Sequence, residues 1–442
     1  MSDRVRRILL LLAVATALAD SSVVTLALPD ILRQFNVQIG EVARVLTSYN
    51  AILALGAIPA AYLARRRPRQ VLTTGIVVFG LASAVCGLAG NFDLLLGARC
   101  IQAVGGALLI TAALELLSIT DGEAPAARSW AAAGVAGAAI GPAVGGALTQ
   151  LAGWEWIFLL QAPVALAALF ALRGRTVHPA FRPRGFARHP HLPALSALTL
   201  LSAALTAALF LLVLLLVEGW RLEPLAAAVI VSVMPAAAFA APRLGLRGPV
   251  AEAGVGSLLV AGGLLALGLL PGASPWWTVP PQILIGLGLG LAVTALTHAA
   301  LAGRSPQAIH GGWTIAARHL GVVLGLIVLV PIFQADLDHE RNQALQAGTA
   351  IVLDANVSPS VKIGVARDVV AVVDAADRRI PDINKAFAHR KMTPALEAVR
   401  NGLLDELDRA ATHAFSRSFL AAAALALLSL IVVLVGRREI EL

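Results

Sequence analysis

The sequence of 442 residues is 58% hydrophobic and 14% charged, with two cysteines. That balance excludes a soluble enzyme or a disulfide-stapled secreted domain and indicates a membrane chain. The formal charge of +8 sits on alternate loops, so it marks topology rather than nucleic-acid binding.

A bilayer crossing takes about 20 mostly apolar residues. Twelve such runs follow one another, near 8 to 29, 41 to 64, 71 to 90, 93 to 118, 128 to 150, 155 to 172, 194 to 218, 223 to 242, 250 to 270, 276 to 303, 308 to 333 and 415 to 436. The chain opens "MSDRVRRILLLLAVATALAD", with the basic start and A-x-A ending of a secretory leader. The apolar stretch continues through "SSVVTLALP", broken only by Asp20, so the expectation is an uncleaved first span.

Depth arithmetic groups the polar residues of the first spans. At 1.5 Å per residue, Asp20 lies roughly 13 Å below the outer end of span one. Tyr49 and Asn50 of span two come at about 12 to 13 Å, and Arg99 and Gln102 of span four at about 9 and 13 Å. Desolvation favours a protonated acid while a nearby arginine favours the carboxylate, so Asp20 can load and release a proton as its neighbours move. The alternative is a permanent Asp20 to Arg99 pair that holds helices together.

Span five contains "GVAGAAIGPAVGGAL". Gly137, Gly141, Pro142, Gly145 and Gly146 lie three and four apart, so one helix face is nearly bare backbone. Small residues admit close helix contact, and Pro142 removes one intrahelical bond, which predicts a bend.

After span six the stretch 173–193 is basic, Pro-rich and free of acids, and reads as a cytoplasmic linker. It separates an N-terminal half, 1–172, from spans seven to eleven, 194–333. Similar basic turns, "AAYLARRRPRQVLTTG" and "FAAPRLGLRGPVAEAG", follow spans two and eight. Paired halves point to a transporter with its site between them.

In the second half Arg318 and His319 stand about ten residues up span eleven, roughly 15 Å from the inner face. A charge at that depth normally faces the bundle interior. Arg318 there either binds an anionic headgroup or substrate carboxylate, or pairs with a carboxylate of the chain. His298, His310, Glu115 and Glu252 fall near span ends and rank below Asp20.

Residues 334–414 hold 12 of the 26 acidic residues and read as a small extracytoplasmic helical domain. Ser358 and Thr393 precede Pro359 and Pro394 in the order of a helix start. Leu396, Val399, Leu403 and Leu407 form a stripe expected to pack on Ile363, Val369, Val370 and Val373. The domain is a solvated cap, a lid, or a docking surface for an envelope partner. Residues 415–442 supply span twelve and a cytoplasmic tail. Basic residues cluster after even-numbered spans and at the N-terminus, which places both termini in the cytoplasm of a multi-pass inner (plasma) membrane protein.

Cys86 and Cys100 lack metal spacing, and the sequence has no phosphate loop, nucleophile elbow or zincin helix. No metal, cofactor or enzymatic activity is expected.

Several phrases together resemble the major facilitator superfamily, in its drug:proton antiporter branches. "ADSSVVTLALPDI" is similar to the first-span signature of the fourteen-span branch, with Asp20 at its acidic position. "RCIQAVGGAL" is similar to the fourth-span motif, with Arg99 and Gln102 at its polar positions, and the span-five stretch resembles the antiporter motif. "GGWTIAARHLGVVLG" resembles a late-span phrase of the same branch. The chain departs from the pattern at Ala61, Arg65, Pro68 and Arg69, where a loop acid is replaced, at Glu155 in place of an arginine, at Arg44 in place of a tryptophan, and in having twelve spans. The resemblance implies an all-helical fold, alternating access and efflux of amphipathic or lipophilic compounds against protons, with the span-five glycines forming a bend on which the halves rock. The alternatives are export of a lipid or envelope precursor through the outer domain, and a non-transporting scaffold or receptor.

Overall fold

The computed structural model describes residues 2–172, 189–376 and 380–441. Apart from residues 189–193, the expected linker lies outside them, as do the basic residues between 173 and 188. Among the described residues each of the twelve expected runs overlaps one helical span: Asp3–Thr25, Ile39–Arg66, Pro68–Gly87, Phe92–Asp121, Glu123–Leu151, Glu155–Leu172, Leu192–Gly219, Pro224–Leu244, Pro249–Gly268, Pro275–Leu301, Gln307–Asp354 and Pro394–Val435. They are called spans 1 to 12 below. A helix satisfies its own backbone, which is what a hydrocarbon surrounding demands.

Local chemistry fixes several boundaries. Ser2 accepts from the Val5 amide ahead of span 1, Gln38 and Glu41 form a capping box at span 2, and Asn91 accepts from Leu94 N at 2.8 Å to start span 4. The first run was expected to reach residue 29, yet its helix stops at Thr25. Pro29 opens a separate short helix, Leu28–Phe35, whose Leu28, Ile31 and Leu32 are buried and which ends at Asn36 with φ 53°. Proline suits a first helical turn and fits no continuing one.

Two apolar cores fill the bundle. One joins the terminus-side parts of spans 1 to 6 around Trp130, Phe79 and Leu114. The other fills the second half and reaches across to Trp154 and Phe158 of span 6. Span 11 packs along both span 2 and span 7, and so bridges the halves.

The segment after residue 333 does not begin with a break. Span 11 is one helix of 48 residues, Gln307–Asp354, because nothing from Phe333 to Ala347 interrupts it with proline or glycine. The chain then forms Pro359–Ala375, a 3-10 turn at Ile383–Phe387, and Pro394–Ala414, which leads into the apolar helix Ser416–Val435. Thr393 caps its helix through Leu396 N at 3.3 Å, whereas Ser358 makes no such side-chain bond. Leu396, Val399, Leu403 and Leu407 are buried against Val352, Val365, Val369, Val373 and Phe387. The expected partners Ile363 and Val370 instead point outward, 63% and 48% exposed. Helical rotation selects 365, 369 and 373 as the inward row, with 363 and 370 on the other side. With twelve crossings, this insert sits at the face of the bundle opposite the two termini.

Candidate functional site

Asp20 of span 1 and Arg99 of span 4 form an ion pair of 2.6 Å between side chains with no exposure at all. Arg99 Nη1 also donates to Gln102 Oε1 at 2.6 Å, and Arg99 Nε to the Val45 carbonyl at 3.4 Å. Its guanidinium lies over the Tyr49 ring, 4.1 Å from the centroid, with Phe158 at 5.5 Å. A desolvated cation gains substantially from such ring faces. The Tyr49 hydroxyl donates to the Ala17 carbonyl at 3.0 Å, tying span 2 to span 1 three residues before the acid.

Gln102 is the hub of the cluster. Its Nε2 faces Ser83 Oγ at 2.8 Å, Gln161 Oε1 at 2.9 Å and Asp20 Oδ1 at 3.4 Å. An amide nitrogen carries two hydrogens, so three acceptors compete for them. Cys86 Sγ donates to Gln102 Oε1 at 3.8 Å. Sequence reasoning missed Ser21, Ser83 and Gln161 and treated Cys86 only as a ligand candidate. The available signal was a lone polar residue inside an apolar run, as Gln161 is in "IFLLQAPVAL".

The cluster extends to the other half through Asn50. Asn50 Oδ1 accepts from Ser21 Oγ at 3.2 Å and lies 2.6 Å from His319 Nδ1, a bond the Nδ1-protonated ring donates. Asn50 Nδ2 donates to its own helix at Leu46 O, 2.7 Å. Asp20, Arg99, Gln102, Tyr49 and Asn50 thus come together at the level the depth arithmetic gave them, and His319 of the second half, which that arithmetic did not group with them, joins through Asn50. Arg318 does not join them. It is part-buried, and among the described residues it has no ion pair or hydrogen bond.

The glycines of span 5 lie elsewhere and mostly within the first half. A Cβ at Gly137 or Gly145 would run into the carbonyl oxygens of Ala15 and Val23, and one at Gly141 into Ser22, all on span 1. Only Gly146 turns toward the second half, where Ala228 and Pro224 of span 8 occupy the space. Span 5 stays helical through Pro142.

Contacts cross the boundary between the halves at both ends. At the insert face, Leu225 N donates to Gln150 Oε1 at 2.8 Å and Arg33 pairs with Glu218 at 2.8 Å. At the terminal face, Gly312 of span 11 sits against Ala57 and Ala61 of span 2, and Ser305 Oγ donates to Glu123 Oε1 at 2.7 Å.

The arrangement is that of paired helical halves around a buried polar centre, and the model of one family matches residues 10–349, described as the Major Facilitator Superfamily. The chain belongs to that superfamily. It is therefore a multi-pass membrane protein of a transporter family. The chain is 28% identical over 392 residues to the lincomycin resistance protein of Streptomyces lincolnensis, covering 71% of this chain and 81% of that one. It is 35% identical over 169 residues to the methylenomycin A resistance protein of Bacillus subtilis (strain 168), a match over 37% of this chain and about a third, 36%, of the relative. A bacterial homolog of the human lysosomal transporter Spinster, solved inward-facing and unoccupied, superposes with TM-score 0.65 at 17% identity over 98% of both chains. That likeness shows the fold.

Proposed function

We propose that this protein exports amphipathic or lipophilic small molecules by alternating access, driven by protons that bind at Asp20. The observation that carries the reading is the fully buried Asp20–Arg99 pair, whose hydrogen-bonded surroundings reach the opposite half through Asn50 and His319. When the halves move, the His319–Asn50 contact must change, and with it the hydrogen bonds around Ser21 and Asp20. A carboxylate is held charged by its arginine and becomes protonatable when that partner recedes, so conformational state and proton affinity are linked. The relatives named for lincomycin and methylenomycin resistance support efflux over uptake.

In this reading both termini are cytoplasmic and the insert lies outside the cell. The loop that carries Arg65 in place of the family's acid leaves Asp20 as the coupling group. Everted vesicles energised by a proton gradient test the proposal: a lipophilic dye should accumulate, collapse of the gradient should release it, and Asp20→Asn should abolish accumulation at normal expression. Undiminished accumulation in that variant would overturn coupling at Asp20, and no gradient-dependent transport of any amphiphile would favour a scaffold or receptor.

A second reading has its own observation. The insert holds a partly open, mostly apolar cavity of about 90 Å³ between Leu345, Val352, Val369, Val373 and Leu403. Such a cavity suits an acyl chain and favours export of a lipid or envelope precursor. Replacing residues 338–410 by a Gly/Ser linker should then spare dye export while abolishing lipid delivery.

A further inference from the structure

Arg318 stands apart from every other deeply placed charge in the bundle. Asp20 is committed to Arg99, Asp336 is held by Arg417 at 2.9 Å, and Glu115 is engaged as well. Arg318 has none of these, and among the described residues no carboxylate is close enough to act on it.

The helix it sits on fixes where it faces. Leu320, Leu324, Ile327 and Val328 form the exposed row of span 11, 46%, 42%, 58% and 44% exposed, as a lipid-facing row would be. Gly321 and Gly325 rest on Thr199 and Ala203 of span 7, while Gly312 and His319 turn to span 2. At 3.6 residues per turn Arg318 falls between those two contacts and opposite the exposed row, two turns along from Gly311. Gly311 is met by Leu114 of span 4 and Trp130 of span 5, so this row looks across the boundary into the first half. Next along the chain, His319 joins the cluster around Asp20 through Asn50.

A permanent cation in such a place requires a counter-charge, since an arginine keeps its proton under all ordinary conditions. Among the described residues none supplies it. We propose that the transported molecule supplies it: Arg318 anchors the acidic headgroup of an anionic amphiphile, a carboxylate, sulfonate or phosphate attached to an apolar body. The planar guanidinium offers paired donors that match such a group, and the apolar side chains Leu114 and Trp130, which meet Gly311 two turns along the same row, suit the body. The inference rests on the exporter reading and narrows its substrate class, because the same charge repels cationic amphiphiles.

Two probes with one tail and opposite heads isolate the charge: octanesulfonate and octyltrimethylammonium, titrated below micelle formation into the full chain in nanodiscs and read by thermal stabilisation. The unmodified protein should bind the sulfonate at least about tenfold more tightly than the ammonium, as a charge-assisted hydrogen bond implies. Arg318→Gln should erase the preference and Arg318→Lys should restore part of it. Equal binding of both probes by the unmodified protein would overturn the proposal without any variant, and so would an unchanged preference in a folded Arg318→Gln protein. Anion preference without gradient-driven transport would sink the exporter reading alone, and transport without anion preference would sink this inference alone.

Discussion

Asp20→Asn removes one charge from a pair that has no contact with solvent, and the cost follows from what is left behind. At 2.6 Å and an effective dielectric of about 20, the attraction is roughly 6 kcal/mol before desolvation is subtracted. Removing one partner of a buried pair destabilises by about 3–5 kcal/mol, because the other charge stays buried without compensation. Arg99 keeps its Gln102 and Val45 acceptors and its two ring neighbours, so the lower end of that range applies to Asp20→Asn. Arg99→Gln should cost as much or more, since it leaves the carboxylate with the weaker 3.4 Å bond from Gln102. Asp20→Asn/Arg99→Gln removes both charges and should recover most of the loss, while gradient-driven export stays abolished. Unfolding of the purified protein in a mixed-micelle denaturant series measures all four species. If the two single losses simply add in the double variant, the residues are not coupled and the reasoning from the ion pair fails.

A methyl group at Gly137 meets a carbonyl of span 1, whereas Gly262 has nothing near it. Gly137→Ala should therefore cost about 1–3 kcal/mol through overpacking, and Gly262→Ala should be neutral or gain up to about 1 kcal/mol of helix propensity; the same unfolding series checks both, and equal effects would count against the span 1 to span 5 contact. On a background lacking Cys86 and Cys100, a cysteine at Asn384 should react with an impermeant thiol reagent in intact cells and one at Arg437 should not, with equal labelling refuting the orientation. Asp30 has its pKa raised, by burial first and by Glu155 and Glu223 against the opposing Arg33. A raised carboxyl pKa means the fold prefers the protonated form, so stability from this group is present at low pH and lost as pH rises through the folded value. Asp30→Asn should stabilise the protein at pH 7 and lose its advantage below the ordinary carboxyl range, as thermal unfolding across pH would reveal.

Apolar run length made the twelve spans legible in the sequence, because a chain in hydrocarbon has few alternatives to the helix. The level shared by Asp20, Asn50, Arg99 and Gln102 was equally legible, since depth needs only a rise per residue and an end point. Direction was harder. Depth says nothing about rotation across helices that are not adjacent in sequence, so Gln161 and Ser83 went unranked although they lie in the same layer. Arg318 and His319 are neighbours at one depth, yet 100° of helix rotation sends one to Asn50 and leaves the other without a partner among the described residues. The insert's stripe on Pro394–Ala414 was read from its own periodicity, but which face of Pro359–Ala375 receives it depends on a phase that Ile363 and Val370 did not reveal.

The unbroken helix from Gln307 to Asp354 has a mechanical consequence. Its 48 residues trace a helix about 72 Å long with Pro331 in its interior, the part before that residue packed along spans 2 and 7 and the part beyond it built into the insert. Any tilt of the first part is transmitted to the tip as through a lever: a swing of about 10° displaces Asp354 by roughly 5 Å over the 20 residues beyond Gln334. The second helical link, through Pro394–Ala414 into Ser416–Val435, gives the insert a fulcrum of its own. On the proposed alternating access the insert is a pointer attached to span 11, and a dye pair placed between it and the rim of the first half should display each stroke in real time.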